Sequence, residues 1–163
     1  MAVLDIVLYP DDPLTQVCEP VDNVDGEIAT LVADMFETMD AYEGIGLAGP
    51  QVGVCKRVFV LRDPDSGKRI SMINPELTEA EGSVTGEEGC LSLPQLYAPV
   101  VRAQKVRVRG LNVQGNEVDF VVEEWLVLYN TRRPHRGLGG RTPAAYAKMT
   151  RTGSPGYRRG GGT

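Results

Sequence analysis

Histidine is almost absent from this sequence: 163 residues contain one, His135. That count excludes any metal centre built on two imidazoles. Cysteine is scarce as well. Cys18, Cys55 and Cys90 are odd in number and irregularly spaced, which does not suit the disulfide framework of a small secreted domain. No apolar run reaches the ~18 residues that a membrane-spanning helix needs. The opening MAVLDIVLYPDDPL lacks the basic start and apolar stretch of a secretory signal. These absences lead us to expect a soluble cytoplasmic protein with no membrane partner.

Acidic residues are missing from one end. From Trp125 to Thr163 there are eight Lys and Arg and no Asp or Glu, which leaves residues 1–124 with nine basic residues against 22 acidic ones. An acidic body repels a polyanion, so nucleic acid is not an expected partner. The shift in composition marks a boundary. We expect a folded domain over 1–124, a tail over 125–149, and disorder over 150–163, where Gly, Arg, Ser, Thr and Pro leave little surface to bury.

What the chain does have is one domain's worth of apolar residues, at 42%. Ile28, Leu31, Val32, Met35, Phe36 and Met39 recur at helical spacing and predict an amphipathic helix over residues 27–42. Strands are predicted at Arg57–Leu61, at Ile70–Ile73 ahead of Asn74-Pro75, at Val100–Gly110 and at Val118–Val122. Strands outnumber helices and short turns join them. The expected class is therefore α+β with antiparallel or mixed sheets around helices.

Two segments carry candidate chemistry. Residues 44–53 read GIGLAGPQVG, where glycines let a ligand approach the backbone and Gln51 offers an amide donor and acceptor. Read alone, this is equally a glycine-rich connection between helix and strand. Residues 87–94 read EEGCLSLP, and Cys90 taken alone reads as a buried structural cysteine.

Together the two segments resemble the signatures of the peptide deformylase family. Gly44-Ile45-Gly46-Leu47-Ala48-Gly49-Pro50-Gln51 fits GxGLAAxQ except at Gly49, and Glu88-Gly89-Cys90-Leu91-Ser92 fits EGCLS fully. The resemblance runs from Ile6-Val7-Leu8-Tyr9-Pro10 to about Val122. It implies a hydrolase that removes the N-formyl group from the initiator methionine of new polypeptides at the ribosome. Its substrate would be an N-formylmethionyl peptide. By the same resemblance Cys90 would ligate Fe²⁺ or Zn²⁺, and Gln51 with the Leu91 N–H would stabilise the oxyanion. Backbone at Gly44, Gly46 and Gly89 would hold the peptide.

The family's third signature, a helix bearing HExxH, has no counterpart in this sequence. We therefore expect the metal-binding helix to be missing or replaced and the activity to be impaired or lost. Glu123 and Glu124, near where that helix should begin, and Cys18 and Cys55 are the other candidate ligands, and nothing in the sequence places either cysteine beside Cys90. Instead, Tyr129-Asn130 through Arg133-Pro134-His135 to Thr142-Pro143-Ala144 resembles the C-terminal end of insertion-sequence transposases with an integrase core.

Overall fold

A computed structural model describes residues 2–63 and 66–123. The predicted helix is present as α1, Gly26–Ala41. Asp25 starts it: the carboxylate accepts hydrogen bonds from the Glu27 and Ile28 N–H groups at 3.0 and 3.1 Å. One face buries Ile28, Val32, Met35, Phe36 and Met39, so the helical spacing in the sequence is the spacing of the core. Thr38 is the polar exception on that face. Its hydroxyl donates to Asp34 O at 2.7 Å and accepts from Leu4 N at 2.9 Å, so nothing is left unpaired and the N-terminal segment is tied to the helix.

Among the described residues seven strands follow: β1 (Gly46–Ala48), β2 (Val58–Arg62), β3 (Arg69–Glu81), β4 (Val84–Cys90), β5 (Leu93–Arg102), β6 (Lys105–Leu111) and β7 (Glu117–Glu123). They form a five-stranded sheet in the order β1-β2-β3-β6-β7 and a two-stranded sheet of β4 and β5. All the strand pairs are antiparallel, as the α+β reading allowed. The core lies between α1 and the β1–β3 end of the large sheet, where Met35, Met39, Val60 and Ile73 are fully buried.

Two strand predictions need correction. Asn74-Pro75 does not end a strand; β3 runs through it to Glu81. Asn74 adopts φ 51, and its amide exchanges two 2.8 Å hydrogen bonds with the Val21 backbone. The pairing of β3 with β6 shifts register just there, between Ile73 and Glu76, so a bulge absorbs the proline. The single strand expected over 100–110 is two. β5 ends at Arg102 in the small sheet, and β6 begins at Lys105 in the large one. The replaced helix, the 125–149 tail and the disorder expected over 150–163 all lie outside the described residues.

Candidate active site

The first motif is shaped by a short turn. Gly49–Val52 forms a 3₁₀ helix, η1, with Pro50 in its first turn, where the missing N–H is not needed. Gln51 Oε1 accepts from Ala48 N at 2.9 Å, which fixes the carboxamide plane and aims Nε2 at Cys90 Sγ, 3.6 Å away. At Gly49, the one departure from the family pattern, a Cβ would lie 2.7 Å from Val54 O and 2.9 Å from Lys56 O. The 54–56 backbone lies over this position and only glycine fits beneath it.

The second motif is the β4–β5 hairpin. Gly89 stands opposite Tyr97 in the register, and a Cβ there would fall 2.6 Å from the ring. The absence of a side chain at 89 is what lets Tyr97 lie across the strand. Arg102 grips Glu88 with two hydrogen bonds of 2.9 and 2.7 Å and holds the hairpin beside the cysteine. Cys90 is exposed, which overturns the buried-structural reading.

Three further contacts bring the motifs together. Leu91 packs against the core, and its Cδ1 would sit 3.3 Å from a Cβ at Gly44. Val7 N donates to Gln51 O and Tyr9 N donates to Ser92 O, both at 2.9 Å. The N-terminal segment is thus a strap across both motifs. Ser92 is buried with its hydroxyl unpartnered among the described residues.

Gly44, Gly46, Gln51, Gly89, Cys90 and Leu91 all line one cleft of about 650 Å³. Its remaining walls are mostly apolar, with Ile6, Leu8, Leu93, Leu96 and Tyr97 among them. The sequence reading did not single out Tyr97 or Arg102. Tyr97 is recognisable only through the register that sets it opposite Gly89.

The donors for a metal do not assemble. Among the described residues no three His, Cys, Asp or Glu side chains cluster to hold an ion. Cys18 and Cys55 do not line the cleft. Glu123 is bound to Lys105 at 2.7 Å at the far edge of the large sheet, so it is not a stand-in ligand for Cys90. Glu124 and His135 lie outside the described residues. One histidine in the whole chain cannot supply a two-histidine ligand set. The residues present therefore do not fit the mononuclear metal of the resembled family.

A model of the polypeptide deformylase family matches residues 3–129, a little beyond the domain end expected from composition. The peptide deformylase of Alkalilimnicola ehrlichii is 49% identical over 117 residues, which is 71% of this chain and 66% of that protein. Peptide deformylase 1 of Clostridium perfringens is 44% identical over 126 residues, 77% of this chain and 86% of that protein. Among solved structures, peptide deformylase from Ehrlichia chaffeensis in complex with actinonin superposes with a TM-score of 0.75 at 35% identity, covering 93% of this chain and 98% of that one. Peptide deformylase from Thermotoga maritima gives a TM-score of 0.73 at 29% identity, covering 89% and 97%. This chain belongs to the peptide deformylase family.

Proposed function

We propose that this protein keeps the peptide-holding half of a deformylase site and lacks the metal-holding half. It binds N-formylmethionyl ends of peptides or nascent chains, and its hydrolysis of the formyl amide is impaired or lost. The observation that supports this is the contrast within one cleft: six motif residues line it, yet no set of three metal donors gathers among the described residues. Backbone at Gly44, Gly46 and Gly89 offers extended pairing to a peptide, and the apolar walls suit a methionine side chain. The Gln51 carboxamide and the Leu91 N–H are the donors for the formyl oxygen. Cys90 remains as a thiol without its two imidazole partners.

The test is to titrate formyl-Met-Ala-Ser into the purified full chain, with metal content and formate release measured on the same sample. The expected result is saturable binding that weakens in Gln51→Ala, less than one retained metal per chain, and no formate above background. One tightly held Zn²⁺ or Fe²⁺ per chain that disappears in Cys90→Ser, together with turnover, would overturn the proposal.

The segment after residue 124, with its transposase-like pattern from Tyr129 to Ala144, supports a second proposal, about origin. It derives from a mobile element that interrupted a deformylase reading frame near codon 123. An intact HExxH frame on resequencing the locus would refute it.

A further inference from the structure

Outside the cleft, two thiols share one place. Glu19 N donates to Cys55 O at 3.0 Å and Arg57 N donates to Glu19 O at 2.9 Å, which makes Glu19 and Lys56 a parallel bridge. Cys18 and Cys55 each stand one residue before that bridge, on neighbouring parallel segments. Residues equally displaced from a parallel bridge are near neighbours across it. Paired strands run about 4.8 Å apart, within the Cα separation of about 4.4–6.8 Å that a disulfide spans. Cys55 Sγ also donates to Val17 O at 3.6 Å, so its thiol leans toward the 17–18 segment. Both cysteines are reduced and partly accessible, so a small oxidant can reach them. Burial, followed by the hydrogen bond and charge of Cys55, pushes the Cys18 thiol above its usual range, against the pull of Arg57.

We infer that Cys18 and Cys55 form a dithiol site that a small-molecule disulfide converts to an intramolecular disulfide, leaving Cys90 reduced in the cleft. The chemistry is thiol–disulfide exchange. One cysteine, as thiolate, attacks the small disulfide, forming a mixed disulfide and releasing the first small thiolate. The second cysteine, as thiolate, attacks the protein sulfur of that mixed disulfide and releases the second. Two electrons pass from the protein sulfurs to the small disulfide. The two protons lost by the cysteines end on the two small thiols. The new bond ties the segment around Cys18 to the loop that follows η1.

The test equilibrates the full chain with oxidised glutathione, alkylates the remaining thiols and digests the protein. Trypsin cannot map the bond, because residues 1–55 contain no Lys or Arg. Cleavage at glutamate separates the two sites, since Glu19, Glu27, Glu37 and Glu43 lie between them. The expected result is a monomer two mass units lighter, fragments linked through Cys18 and Cys55, and one alkylated thiol at Cys90. Its thermal midpoint should rise and return on reduction. Cys18→Ser and Cys55→Ser should each abolish the loss of mass, and Cys90→Ser should leave it intact. Persistent mixed disulfide on Cys18 or Cys55, or any linkage through Cys90, would overturn the inference. Because mapping is done on the unsubstituted chain, the result stands even if a serine variant misfolds.

Discussion

Replacing Gly49 by alanine restores the family's motif and should nonetheless weaken this protein. The new Cβ would stand 2.7 Å from Val54 O and 2.9 Å from Lys56 O, with Val58 O at 3.6 Å. Carbon and carbonyl oxygen approach no closer than about 3.3 Å in ordinary contacts, so both nearer oxygens must withdraw by roughly half an ångström. All three are backbone atoms and no rotamer change relieves them. The loop is also pinned, because Val54 N donates to Gly49 O at 3.0 Å and Gly53 N donates to Pro50 O at 3.2 Å. Overpacking of this kind costs about 1–3 kcal/mol. Alanine recovers about 0.4–1 kcal/mol by restricting the unfolded chain. The net is a loss of about 0.5–2 kcal/mol, which at about 2–4 °C per kcal/mol lowers the thermal midpoint by roughly 1–8 °C. Gly26→Ala is the internal control. Gly26 opens α1 with nothing within 4 Å of its Cβ position, so the same substitution should stabilise. Calorimetric melts of both variants decide the matter. A Gly49→Ala midpoint equal to or above the parent's would refute the steric reasoning.

Asp40 gives a pH prediction. Burial alone would raise its carboxyl, but hydrogen bonds and charge from Arg62 (2.5 Å) and Arg69 outweigh that and hold it below its ordinary value. A carboxylate with a depressed folded pKa stabilises above its unfolded pKa, and the gain is lost as pH falls through the folded value. The stability gap between the parent and Asp40→Asn should therefore be level near neutrality and shrink below about pH 4; urea midpoints at several pH values read it, and a gap that widens in acid would contradict the assignment. Arg102→Lys keeps the charge but loses the fork on Glu88. With the Arg102 side chain 59% exposed, global stability should fall by less than about 1 kcal/mol. Amide exchange in β4 and β5 should nevertheless accelerate, and unchanged protection there would mean that the fork does not hold the hairpin.

How far the sequence spoke for the structure depended on local pattern. α1 was legible because five of the six apolar residues at helical spacing are buried and the sixth, Leu31, packs half-buried against the same core. β2 and β7 appeared within a residue or so of their predicted bounds. β4 was not foreseen because Gly86, Glu87, Glu88 and Gly89 show no apolar alternation, and it pairs only with β5 in a small, open sheet. The join between β5 and β6 was missed because valines continue on both sides of Ala103-Gln104 while the chain changes sheets. In the site, motif residues could be named from the sequence, but their convergence could not. That rests on a strap 40 or more residues away from each partner it bonds, and on a register that sets Tyr97 over Gly89.

Under the proposed function, those long-range contacts would let peptide binding and turnover separate in this family member. A structural metal site contributes to folding when its ligands hold the elements together. Here the described contacts that bring the motifs together pass through none. Leu91 is seated on the core, Gln51 is held by Ala48, Glu88 by Arg102, and the strap joins Gln51 to Ser92 through backbone hydrogen bonds. Each would persist with Cys90 unligated. The cleft is therefore preorganised by packing and main-chain pairing. On that proposal, lacking a two-histidine ligand set would cost the group that activates water without dismantling the walls of the cleft.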